Sequence, residues 1–182
     1  MILDVGCGPC PKGDVNVDLF YGVASPHIGY TTHKIEGIPN FVKASAEALP
    51  FRDESFTLVH ASHLMEHLKT PYQFLREAER VSYDCVYIQV PALLEYKGAA
   101  SEYPEHIYTW CKSSLENLLK KFFTSVEIHL GTYQGRLEFR DRLKGRLLGK
   151  MGILGRAIWF FWRELPFRYD ELTAICRKKR RV

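Results

Sequence analysis

Nowhere do the 182 residues hold a run of about 18 uncharged apolar residues, so a membrane-spanning helix is not expected. Met1 to Val5 lead straight into a glycine turn, so a secretory leader is not expected. Cysteine is sparse: five residues, Cys7, Cys10, Cys85, Cys111 and Cys176, are an odd number at scattered spacing. That suits reduced thiols of a cytoplasmic protein better than a disulfide framework. Net charge is small at +4, too little by itself to argue for nucleic acid. With 46% hydrophobic and 25% charged residues the composition is ordinary for one globular domain with a sizeable core.

The charge is unevenly spread. From Gly131 onward there are 14 Lys and Arg against five Asp and Glu, while the residues before it are acidic in balance. The basic end is therefore a separate feature. Between about residues 133 and 168, Leu143, Leu147, Leu148, Met151, Leu154 and Ile158 recur near helical spacing, interleaved with Arg142, Lys144, Arg146, Lys150 and Arg156. This reads as a basic amphipathic insertion, with Gly145, Gly149, Gly152 and Gly155 lowering its helix propensity. A plain helical insertion, a substrate lid and a membrane-interface helix all fit that pattern. The Arg177–Arg181 run lacks interleaved aromatics, so specific nucleic-acid binding is not expected.

Short apolar runs at Met1–Val5, Val15–Leu19, Phe41–Lys43, Ser55–Ala61, Cys85–Val90, Ser125–Leu130 and Glu171–Cys176 read as seven strands. Helices are expected around Leu64–Leu68, from Thr70, and over Lys112–Phe122. Thr70-Pro71-Tyr72-Gln73 reads as a capping box with Pro at the first helical position, followed by an apolar face of Tyr72, Leu75, Ala78 and Val81. Strands alternating with helices imply a Rossmann-like α/β domain: a mostly parallel sheet with helices on both faces. Ligands of such sheets bind beyond the carboxyl ends of the strands.

Four phrases carry the chemistry. Two glycines follow the first strand in Leu3-Asp4-Val5-Gly6-Cys7-Gly8, and glycine lets backbone approach a ligand closely. Asp18 ends the second strand, where a carboxylate can accept hydrogen bonds from a ribose diol; a solvated or helix-capping Asp is the bland reading. Ala44-Ser45-Ala46-Glu47-Ala48-Leu49-Pro50-Phe51 follows the third strand, and Ser62-His63-Leu64-Met65-Glu66-His67-Leu68 the fourth. A dinucleotide fingerprint is a poor fit, because its third glycine would fall at Pro11 and its ribose acid further on than Asp18. A lone Cys7/Cys10 pair is thin ground for zinc. His60, His63 and His67 do not follow the H-E-x-x-H pattern, so no metal is assigned.

In wording and order these phrases resemble the class I S-adenosylmethionine (SAM)-dependent methyltransferases of the type 11, ubiquinone/menaquinone-biosynthesis-like group. The resemblance covers about residues 1–90. A looser echo runs through Glu105-His106-Ile107-Tyr108-Thr109-Trp110, and another through Leu172–Lys178. It implies a seven-stranded sheet with an antiparallel last strand and SAM as cofactor. Asp4, Gly6 and Gly8 would form the methionine pocket. Asp18 would hold the ribose, Leu19 would pack on adenine, and Ala46 and Glu47 would line the adenine end. Ser62 and His63 would border the sulfonium and the acceptor. Where the acceptor needs a base, His63, His67 and His106 are the candidates, each equally readable as a structural histidine. The resemblance implies a small-molecule or lipid-like acceptor; the cysteines suit a cytoplasmic enzyme, and the basic end is readable as a peripheral membrane contact. A non-catalytic SAM-binding protein and a membrane- or RNA-associated module are the rival readings.

Three departures stand out. Ser45 replaces the family's frequent Asp. The sequence opens on the first strand without the family's preceding helix, which would either leave SAM more exposed or mark the sequence as a piece of a longer chain. Only the nine residues between Val5 and Val15 join the first two strands, fewer than a parallel crossover usually takes, so the helix there should be absent.

Overall fold

A computed structural model describes residues 1–20, 36–92, 106–131 and 171–178. The expected insertion at 133–168 and the tail beyond residue 178 lie outside them.

Seven strands form one sheet: β1 (Ile2–Val5), β2 (Val15–Asp18), β3 (Phe41–Lys43), β4 (Phe56–Ser62), β5 (Ser82–Pro91), β6 (Ser125–Gly131) and β7 (Glu171–Arg177). Their order is β3-β2-β1-β4-β5-β7-β6. The first five are parallel, and β7 runs antiparallel between β5 and β6. The central strands bury both faces, which is why they read as unbroken apolar runs. Leu3, Val5, Val17, Val59, Val86, Ile88 and Val90 have no exposed surface.

Two α-helices lie among the described residues, α1 (Pro71–Val81) against β4 and β5, and α2 (Lys112–Leu119) against β6. Helix α1 buries Pro71, Phe74, Leu75, Ala78 and Val81. Tyr72, expected on that face, is half exposed and packs edge-on against Phe122, with ring centroids 4.5 Å apart. The expected Thr70–Gln73 capping box does not form, because Thr70 makes no side-chain cap. Glu47 takes Gln73's part, its Oε1 accepting the Thr70 N–H at 2.7 Å. The expected helix at Leu64–Leu68 is a single 3-10 turn over Met65–His67.

No helix joins β1 to β2. Side chains hold the nine-residue connection instead. Asp4 Oδ2 accepts the Lys12 N–H at 2.8 Å, and Asp14 Oδ2 accepts the Ile2 N–H at 2.8 Å. Asn16, fully buried, accepts the Gly13 N–H and donates to the carbonyls of Gly13 and Pro39. These contacts satisfy polar backbone that a crossover helix would satisfy internally.

The loop before β4 is fastened by one arginine. Arg80 of α1 donates to Glu77, to the carbonyls of Leu49 and Phe51, and to Asp53, at 2.7 to 3.0 Å. Glu77 Oε2 also accepts the Leu49 N–H at 2.8 Å, and Arg80 keeps that carboxyl below its usual range. Arg80→Ala leaves these acceptors bare, so we expect a loss of about 2–3 kcal/mol, read as a lower urea midpoint at unchanged slope. A midpoint within error of the parent would show that water replaces the guanidinium without cost.

Candidate cofactor and acceptor site

The strand register brings the four phrases to one edge. Val5 lies level with Val17 of β2 and Ala61 of β4, and Ser62 lies level with Gln89 of β5. The residues just beyond them, Gly6 to Gly8, Asp18 to Phe20 and His63, therefore share the carboxyl edge.

The glycine turn curls over β2. The N–H groups of Gly6 and Cys7 both donate to the Val17 carbonyl, at 2.8 and 3.1 Å. Gly6 and Gly8 take φ of +70° and +54°, a region costly to residues with a Cβ. A Cβ on Gly6 would meet Leu64 at 2.9 Å, whereas at Gly8 nothing lies within 4 Å. The turn thus presents open space at Gly8. Asp18 clasps it: Oδ2 accepts the Gly8 N–H at 3.1 Å and Oδ1 the Phe20 N–H at 2.9 Å. Each carboxylate oxygen has a second acceptor site. Leu19 beside it is about half exposed.

The other expected site residues are placed differently. Asp4 is 3% exposed, and its Oδ1 meets His60 Nδ1 at 2.7 Å while Oδ2 holds Lys12. It supports the turn from beneath. Ala46 is buried, and Glu47 is tied to the start of α1. Ser45, in the place of the family's Asp, accepts the Glu47 N–H through its hydroxyl at 3.2 Å. Burial, then the charges of Asp18 and Asp4, push the Cys7 thiol up to about 12.

The three candidate histidines separate. His63 has a φ of +51° and donates its N–H to the Gln89 carbonyl. Its Nδ1 faces Glu66 at 3.5 Å and its Nε2 faces Glu171 at 3.7 Å. Burial opposes the charged ring, but interactions with Glu171 and then Glu66 outweigh it and raise the imidazole to about 9. His63 above all holds Glu171 below the usual carboxylate range. Gln89 Nε2 donates to the same Glu171 at 2.5 Å. His67 and His106 instead meet each other, ring centroids 4.8 Å apart, beside Glu66. Gln89 and Glu171 were not singled out from the sequence; each reads there as a polar end of an apolar strand. The His106–Trp110 phrase is seated by the Glu66 carbonyl, which accepts the N–H groups of Ile107 and Tyr108.

Comparison with known proteins agrees with this geometry. Residues 3–84 match the type 11 family model, described as a methyltransferase domain. The sheet matches a SAM-dependent methyltransferase from Archaeoglobus fulgidus at 19% identity and TM-score 0.60, covering 97% of this chain and 85% of that one. It also matches a phosphoethanolamine N-methyltransferase from Haemonchus contortus, solved with S-adenosylhomocysteine and phosphomonomethylethanolamine. There the identity is 16% and the TM-score 0.56, covering 98% of this chain and 49% of that one. The [4+2]-cyclase SpnF matches at 14% identity and TM-score 0.55, over 97% of this chain and 73% of that one. Among curated sequences nothing matches significantly. Residues 3–84, under half of the chain, thus resemble a type 11 methyltransferase domain, and the sheet has the fold of SAM-dependent methyltransferases.

Proposed function

We propose that the chain transfers the SAM methyl group to a small-molecule or lipid-like acceptor lying over the carboxyl ends of β4 and β5. The observation that carries this is the clasp of Asp18 on Gly8, set against open space at that glycine. The residues fit the cofactor: Asp18 keeps one acceptor site on each oxygen for two ribose hydroxyls, and exposed Leu19 offers an apolar surface to adenine. Gly6 and Gly8 give the methionine part close approach, with Asp4 acting through the turn it supports. Ala46 and Glu47 bound the adenine end.

Bound SAM supplies a methyl group already activated on sulfur. The chain's work is then to align the acceptor and exclude water. Ser62 and His63 border that position. With a carboxylate at each ring nitrogen, His63 has no lone pair to offer and serves as a donor and positioning cation. An acceptor that needs no base, such as an amine, suits the site. The Haemonchus contortus neighbour, crystallised with an amine phosphate, supports that class. Contact with a membrane surface through the basic 133–168 region and Arg177–Arg181 would bring lipid acceptors near. None of the described helices is long and apolar enough to cross a membrane.

The test is S-adenosylhomocysteine formation from SAM by the purified chain, with amines, quinones and anionic vesicles as acceptors. We expect product above the acceptor-free blank with at least one class. SAM binding without product from any class would overturn methyl transfer. The fold would then serve other chemistry, as the cyclase neighbour's name indicates for that protein.

A further inference from the structure

We propose that Glu66, His67 and His106 form a binding site for a divalent transition-metal ion of the zinc class. Their ligand atoms all lie within 4.8 Å of one another. Bond lengths near 2 Å put tetrahedral ligands about 3.3 Å apart, so the set closes by roughly 1.5 Å, within reach of side-chain rotation. Two imidazoles with one carboxylate are a donor set that zinc, iron(II) and cobalt(II) accept, with positions left open for a further ligand.

The independent observation is Glu66 itself. It is 1% exposed, and neither carboxylate oxygen has a hydrogen-bond partner. His63 faces one oxygen at 3.5 Å, too far for a strong hydrogen bond, and no contact of that kind reaches the other. His63 offsets part of the charge across 3.5 Å, but the second oxygen stays bare, which is costly for a buried carboxylate; a cation between Glu66 and the two rings removes that cost. The fold also holds the ligands in place. The Glu66 carbonyl accepts the N–H groups of Ile107 and Tyr108, which sets His106 beside the 3-10 turn carrying Glu66 and His67. His60, the third member of the histidine run, is spent elsewhere, on Asp4.

The test is titration of cobalt(II), and then zinc, into the chelator-stripped full-length chain. Absorption spectra and calorimetry are read, with Glu66→Gln and His106→Ala beside the parent. We expect one ion per chain, visible bands without a thiolate charge-transfer band, and an affinity falling about a hundredfold in either variant. Far-ultraviolet circular dichroism verifies folding; should Glu66→Gln unfold, His106→Ala carries the comparison. No binding, or equal affinity in parent and variants, overturns the proposal. So does a charge-transfer band lost in a Cys10→Ser/Cys111→Ser chain, which would hand the ion to the thiols. The titration needs neither SAM nor acceptor, so its failure leaves the methyl-transfer reading standing.

Discussion

Asp18→Ala is expected to lower the affinity for SAM and S-adenosylhomocysteine about a hundredfold or more. Each ribose hydroxyl bonded to a carboxylate contributes about 1.5–3 kcal/mol, and two of them outweigh the roughly 2.8 kcal/mol that two decades of affinity represent. The substitution has a second consequence. Asp18 also accepts the N–H groups of Gly8 and Phe20, so alanine leaves both donors bare and loosens the turn. Calorimetric titration and thermal unfolding must therefore be read together. Asp18→Asn keeps the shape and one acceptor, and should fall between parent and alanine. A lower unfolding temperature with affinity within about threefold of the parent would reduce Asp18 to a clamp on the turn. The ribose assignment would then fail.

The parts of the fold that are local in sequence are legible there. Each strand is a short apolar run, and counting the residues from Val5 to Val15 was enough to remove a helix. Errors arose where a distant residue took over a local role. Thr70 and Gln73 have the spacing of a capping box, yet Glu47, 23 residues upstream, supplies the bond. On α1, the expected Leu75, Ala78 and Val81 are buried, but Tyr72 lies at the edge of that face and the buried Phe74 is missing from the expected set. The observed set, Pro71, Phe74, Leu75, Ala78 and Val81, keeps the 3.6-residue period. The Leu49–Asp53 phrase matched the family as a string, but what holds it is Arg80, on the next helix. Glu171 and Gln89 stand 82 residues apart and meet only because β7 returns antiparallel beside β5. No local pattern encodes that contact. The histidines show the same limit: His60, His63 and His67 are near neighbours in sequence and have three different partners in space.

Gly13→Ala should produce the largest loss of stability, about 3 kcal/mol or more, at the high end of what overpacking usually costs. The cause is close approach. A Cβ at position 13 would lie 2.5 Å from the Val15 carbonyl oxygen, 2.7 Å from the Asp4 nitrogen and 2.9 Å from the Asp4 Cβ. Two of these are backbone atoms of paired strands, so no rotamer change relieves them. Shifting the connection away breaks the Gly13–Asn16 and Lys12–Asp4 bonds that stand in for the missing helix. Against a total stability of about 5–15 kcal/mol that loss is severe. Gly8→Ala is the contrast. Its Cβ meets nothing within 4 Å, so it bears only the strain of a positive φ, about 1–2 kcal/mol, while intruding on the space assigned to the cofactor. Urea unfolding should therefore rank Gly13→Ala well below Gly8→Ala, and SAM titration of whatever remains folded should rank them in reverse. A Gly13→Ala midpoint close to the parent's would mean that the nine-residue crossover yields. The side-chain ties of Asp4, Asp14 and Asn16 could not then be what holds β2 against β1.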